Sequence, residues 1–288
     1  MKYSLRKLWK NINFLMKYNL EDVKVDILDE VEDMYVHKDY YDKGLKILNS
    51  DETVELLLKE PKSFCRFGDG EALLMQGKDI PFQKYDKRLA DLMFDILKEN
   101  NDKLYVGLSY LLFSYDRSRV SDFNKKWSVL KSKKYRDFWV ENCNHDRLYI
   151  DAAFNQKFVT SSNYDFSTYY SKIKQLFANR NMVIFVGEGV LDKISYDIFE
   201  LANSKEFVYG PSKNAFSELE ILYEKAMRME SHKTFAFILG PCSKVLVYML
   251  AREGRLAFDI GHLAKDYDFY MKGYERNSKN IREFYRPD

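Results

Sequence analysis

The chain has 288 residues, 46% of them hydrophobic and 16% aromatic, which is enough apolar material for a sizeable core and excludes general disorder. Lys plus Arg (46) nearly cancel Asp plus Glu (44), so the net charge of +2 excludes the strong basic excess of a nucleic-acid binder. Cys65, Cys143 and Cys242 are odd in number and far apart; they form neither a disulfide framework nor a CxxC zinc pair, which points to a reducing compartment.

Residues 1–60 read as a helical, charged segment with no clear strand. At its start, Leu5, Leu8, Trp9, Ile12 and Met16 fall at helical spacing among Lys2, Arg6, Lys7, Lys10 and Lys17. Such a helix suits peripheral contact with an anionic membrane through residues 1–20, or packing on the domain with its lysines in water. No apolar run approaches the ~18 residues of a membrane span, and the start lacks the continuous apolar stretch of a signal peptide. The expected location is the cytoplasm, at the inner face of the membrane where that helix binds lipid. A further helix begins near Ser50 and stops at Pro61.

From Ser63 the texture changes to short apolar runs alternating with segments of helical period. Ser63–Phe67, Leu104–Leu108, Leu148–Ile150, Met182–Val186, Phe207–Tyr209, Thr234–Leu239 and Leu256–Asp259 are the expected strands. Helices are expected between them, among others at 89–97, 120–142, 195–202, 213–229 and 242–253. This alternation predicts an α/β fold: a mainly parallel sheet with helices on both faces, preceded by a helical N-terminal segment. The expected divisions are 1–60, a catalytic domain over 61–275, and a tail over 276–288.

In such a sheet a ligand site lies beyond the carboxyl ends of the strands, so the residues after each strand carry the chemistry. In Arg66-Phe67-Gly68-Asp69-Gly70-Glu71, extended backbone would aim Asp69 and Glu71 to one side, where two like charges call for a cation such as Mn²⁺ or Mg²⁺. Arg66 adds a planar fork for phosphate, and Gly68 removes side-chain bulk beside it. An ordinary solvated turn is the plain alternative. Gly240-Pro241-Cys242-Ser243-Lys244 opens a helix whose free N–H groups, with the Ser243 hydroxyl and Lys244, could receive an anion; simple capping by Ser243 is the alternative. Ser212, Lys213 and Asn214 repeat that arrangement after the preceding strand. Gly187 and Glu188 lie in a turn that lacks full GxGxxG spacing, with Glu188 a candidate for a sugar hydroxyl or a base. Asp259 and His262 end the last strand and offer a general base.

Taken together, SFCRFGDGE, PSKNAF and ILGPCSKVLVYMLAREGRLAFDIGH followed by DYDFY resemble the GT-D glycosyltransferases over roughly residues 61–271. The resemblance implies a Rossmann-like sheet that binds a UDP-sugar, with a metal held by a DxE motif that falls here on Asp69 and Glu71. The chain departs from the family in having Gly-Pro-Cys-Ser-Lys where Gly-Pro-Thr-Ala-Thr is usual, and Leu263-Ala264-Lys265-Asp266 where a further acidic pair often stands. The implied activity is transfer of a hexose, glucose or galactose, from a UDP-sugar to a hydroxyl of a growing glycan of a cell-surface polysaccharide or glycoprotein, and the basic start of the chain suits a lipid-linked acceptor. The alternatives are a methyltransferase using the Gly187 turn and a non-catalytic nucleotide-binding subunit.

Overall fold

Along Asn181–Gly187 (β5), Val183 and Phe185 enter one hydrophobic cluster while Met182, Ile184 and Val186 enter another. Successive side chains of a strand point to opposite faces, so this division means that the strand is buried on both sides. Thr234–Ile238 (β7) divides the same way, with Phe235 and Phe237 on one face and Ala236 and Ile238 on the other. The computed structural model that shows this describes Ile27, residues 44–114 and residues 118–286, without the side chains of 129–133. The basic helix expected over 1–20 lies outside the described residues.

The remaining strands are Lys46–Ile47 (β1), Ser63–Arg66 (β2), Leu104–Leu108 (β3), Leu148–Asp151 (β4), Ser204–Gly210 (β6) and Ala257–Asp259 (β8). They form one eight-stranded sheet in the order β1-β4-β3-β2-β8-β7-β5-β6, with every pair parallel. The chain builds outward from β2 to β4, crosses the sheet to β5 and β6, and returns to place β8 beside β2. Helices Lys87–Lys98 (α3), Asp122–Asn142 (α4), Leu219–Arg228 (α7) and Cys242–Arg252 (α8) cover one face. Helices Ser50–Lys59 (α1), Lys157–Thr160 (α5), Phe166–Gln175 (α6), Leu263–Met271 (α9) and Ser278–Phe284 (α10) cover the other. Asp69–Met75 (α2) follows β2 directly.

The local signals for these helices are ordinary ones. In α3 the Asp86 side chain accepts from Leu89 N, and Leu89, Met93, Ile96 and Leu97 share the buried stripe. Helix α8 is buried almost all round because it packs against β2, β8 and α3 at once.

Four expectations change. Lys46–Ile47 pairs with β4, so residues 44–60 belong to the sheet and its covering layer instead of a separate helical segment. Within the stretch expected as a tail over 276–288, α10 packs on the sheet's cover and buries Ile281 and Phe284. The helix expected over 195–202 is a series of turns, in which the Asp268 carboxylate accepts from Ser195 N and Tyr196 N and the Asp197 side chain accepts from Phe199 N at 2.8 Å. The helix expected from 213 begins later, with a 3₁₀ turn at Ala215–Glu218 leading into α7. Among the described residues no helix is long and apolar enough to cross a membrane.

Candidate active site

The two central strands of the sheet, β2 and β8, end side by side, and their ends carry a buried set of charges. The Arg66 guanidinium donates from Nε to the Asp259 carbonyl at 2.8 Å and from Nη2 to Asp259 Oδ1 at 3.0 Å. Its Nη1 donates to Asn155 Oδ1 at 2.9 Å and to the Ala152 carbonyl at 3.2 Å. Asn155 in turn donates to the Ile260 carbonyl at 2.8 Å, which pins the fork from behind. Arg66 therefore spends four of its five side-chain donors on protein groups, and the expected phosphate fork is a structural clamp among β2, β8 and the segment that follows β4.

Asp259 is buried, with Arg66 N donating to Oδ2 at 3.1 Å and Lys244 Nζ 3.3 Å from the same oxygen. Burial alone would raise its pKa, but the Arg66 and Lys244 charges outweigh that and hold the carboxyl below the usual range. A carboxylate held in that state is a weak base, the opposite of what deprotonating an acceptor hydroxyl requires.

Lys244 was expected to meet an anionic ligand from the start of α8. Its ammonium is buried and lies 2.8 Å from Glu71 Oε1, so it meets two carboxylates of the protein. Ser243 is also turned inward: its hydroxyl accepts from Leu239 N at 2.9 Å, closing the β7–α8 turn. Gly240 takes a left-handed conformation in that turn and faces Phe82.

Asp69 and Glu71 do not sit in extended backbone. Ala72 N donates to the Gly68 carbonyl at 3.1 Å, so the helix α2 starts at Asp69 and places both acids in its first turn. Residues two apart on a helix face different directions. Glu71 folds back, accepting from Gly68 N at 2.8 Å through Oε2 while Oε1 pairs with Lys244. Asp69 stays open to solvent. Protein crowded around it, and then the Glu71 charge, raise its carboxyl above the usual range, while the Trp127 indole is the side-chain donor that opposes the rise. With both Glu71 oxygens engaged, the pair does not fit a preformed divalent-cation site. Among the described residues no three His, Cys, Asp or Glu side chains are placed to hold a metal.

The other expected residues form the neighbouring rim. A Cβ at Gly187 would come within 2.7 Å of Ser212 Cα, so only glycine lets the turns after β5 and β6 approach this closely. Glu188, Ser212 and Lys213 are exposed there. Asn214 does not cap the following turn with its side chain; Oδ1 accepts from Lys84 N at 2.7 Å, and its own N–H donates to the Phe82 carbonyl at 2.8 Å. The loop carrying Phe82 thus ties the β6 turn to His262, whose ring lies 6.3 Å from that of Phe82 and 5.3 and 6.2 Å from those of Phe284 and Tyr285. Asn155, Phe82, Trp127 and Tyr285 had no signal in the sequence. They arrive from segments distant in the chain, and only the fold brings them here.

The β2–β8 crevice and this rim lie at the carboxyl ends of the strands, where the chain reverses direction across the sheet. A family model described as "Glycosyltransferase GT-D fold" matches residues 64–284. "Probable glycosyl transferase Gly" of Streptococcus gordonii is 29% identical over 246 residues, which is 83% of this chain and 35% of that protein. "Glycosyltransferase GlyD" of Streptococcus pneumoniae serotype 4 is 29% identical over 254 residues, 85% of this chain and 30% of that protein. The chain thus spans about a third of the length of these curated relatives. A solved structure described as "A New Glycosyltransferase (DUF1792) from Streptococcus sanguinis" superimposes with a TM-score of 0.74 at 28% identity, covering 80% of this chain and 85% of that one. Another, described as a highly conserved domain of unknown function with a distinct glycosyltransferase fold, gives 0.73 at 29% identity over 80% and 82%.

Proposed function

On the premise that the chain belongs to the GT-D glycosyltransferase family, we propose that it moves a hexose, glucose or galactose, from a UDP-sugar to a hydroxyl of a growing glycan. The methyltransferase alternative falls with that membership. The observation that carries the reading is the open Asp69 carboxylate beside the Arg66–Asp259–Lys244–Glu71 cluster at the mouth of the β2–β8 crevice.

In this reading the diphosphate lies along the rim formed by the turns at Gly187, Ser212–Lys213 and Gly240–Pro241, with Lys213 facing its charge. The bond from the sugar C1 to the diphosphate oxygen breaks, and its electron pair leaves with the diphosphate. The acceptor oxygen forms the new bond to C1, and its proton goes to Asp69. Two features support that role: Asp69 is reachable from solvent, and its pKa is shifted toward the range useful to a base. Arg66 and Asp259 act by fixing the strand ends, and His262 by packing among Phe82, Phe284 and Tyr285.

The test is turnover of UDP-glucose and UDP-galactose over a panel of glycan acceptors, with Asp69→Asn beside the wild type. A fall in kcat of about 10²–10⁴ is expected for loss of a general base. Wild-type-like turnover in a folded Asp69→Asn variant would remove Asp69 from the chemistry, and no UDP-sugar turnover at all would remove the substrate class. We extend the reading to a lipid-linked acceptor reached through residues 1–20. It predicts that deleting those residues weakens sedimentation with anionic vesicles.

A further inference from the structure

A lysine ammonium is costly to bury unless its charge is matched, and Lys244 is matched twice. Its Nζ lies 2.8 Å from Glu71 Oε1 and 3.3 Å from Asp259 Oδ2, and its side chain is 5% exposed. The two carboxylates come from different elements, α2 and β8. Each has a backbone N–H on its other side or on the shared oxygen: Gly68 N on Glu71 Oε2 and Arg66 N on Asp259 Oδ2. The ammonium thus sits where two acids converge, at the distance of a charge-assisted hydrogen bond from Glu71 and somewhat farther from Asp259.

A Mg²⁺ or Mn²⁺ ion bound by the same two oxygens would need to lie about 2.0–2.2 Å from each, inside the volume that the ammonium holds. The two cations therefore exclude one another there, and neither Glu71 oxygen is free to join Asp69 around an ion, since Oε1 holds Lys244 and Oε2 holds Gly68 N. The acids of the crevice (Asp69, Glu71 and Asp259) and its two cations (Arg66 and Lys244) sum to −1 with the lysine in place; without it they would sum to −2.

We propose that Lys244 is a built-in substitute for a divalent cation: its ammonium bridges Glu71 and Asp259 at the crevice, and the chain binds its nucleoside-diphosphate substrate without a metal. Lys244 is a positioning residue in this role. It holds Glu71 folded back onto the start of α2 and leaves Asp69 as the open acid. The nucleotide part of the proposal rests on the crevice being the UDP-sugar site, whereas the cation part does not.

The experiment follows each part separately. Mn²⁺ binding is titrated by electron paramagnetic resonance in the absence of nucleotide, on the wild type, Lys244→Met, Lys244→Ala and Glu71→Gln. The wild type should leave Mn²⁺ free up to the millimolar range. The Lys244 variants should bind it at least about tenfold more tightly and show a melting temperature that rises with added Mn²⁺. In calorimetry the wild type should bind UDP in EDTA within about twofold of its affinity with Mn²⁺ present. Tight Mn²⁺ binding by the wild type that Glu71→Gln abolishes would overturn the proposal, as would UDP binding that vanishes in EDTA. Should the Lys244 variants fail to fold, the wild type and Glu71→Gln still decide it. If UDP binds under no condition, the substrate reading fails, and the Mn²⁺ titration still rules on Lys244.

Discussion

The Cβ that any residue other than glycine would place at position 261 falls 2.0 Å from Arg66 Nη2. Gly261 also has φ +44°, a conformation that L side chains rarely adopt. The guanidinium that clamps β2 to β8 and the turn that ends β8 are therefore fitted to each other, and neither can change alone.

Gly261→Ala should destabilise the fold by at least about 2 kcal/mol, because backbone strain is joined by displacement of a buried Arg66 held by four side-chain hydrogen bonds. Gly254→Ala is the control: it has φ +74° with no atom within 4 Å of its Cβ, so it carries the backbone part alone. Urea denaturation of both variants measures the difference. Equal losses would mean that Arg66 yields freely and that the clamp is weak.

Asp266 supplies a pH dependence of known sign. It is buried, and burial pushes its carboxyl up to about 7, against donation from Tyr170 OH, Phe158 N and Val159 N. An unfolded aspartate titrates near ~3.9, so between roughly pH 4 and 7 the folded state binds more protons than the unfolded one. The Asp266 contribution to stability is complete below the lower value and is lost as pH rises through the higher one. Asp266→Asn removes that titration. The stability gap between wild type and variant should narrow from pH 4 to 7 and stay constant above; a gap that is flat across the window would sink the assignment.

The three thiols should be inert in the native state. Burial pushes Cys65, Cys143 and Cys242 each up to about 12, which leaves on the order of 10⁻⁴ of each as thiolate at pH 8. A colorimetric thiol reagent at that pH should label none of them rapidly in the folded chain and all three in urea. Fast labelling of any one would mean that its cover opens far more often than the packing implies.

The strands were legible in the sequence because most are buried on both faces and read as continuous apolar runs. Leu104–Leu108 falls where the apolar run predicts it, and β7 differs from it by one residue. The short β1 was not legible: two residues at a sheet edge leave no periodicity, and only β4 makes them a strand. The order of charged residues after the strands was legible, and their pairing was not. Lys244 reads as an anion receiver until the fold sets it against Glu71, 173 positions earlier (244 − 71). Asp69 and Glu71 read as extended because they follow the Ser63–Phe67 run directly, yet a helical hydrogen bond from Ala72 to Gly68 decides their directions. At 195–202 a helix is expected between two strands, but the segment forms turns in which the Asp197 side chain accepts from Phe199 N, a local bond that competes with a helical ladder.

The pairing of β2 with β8 joins Phe64 to Phe258, so the middle of the sheet is sealed by the last strand the chain supplies. Until residues 257–259 are in place, β2 presents an open edge and Arg66 lacks its main counter-charge. Contacts at such sequence separation are slow to form and are exposed to wrong partners meanwhile. Closure of the sheet and completion of the charged crevice thus depend on one and the same pairing, and a chain shortened before β8 forfeits both together.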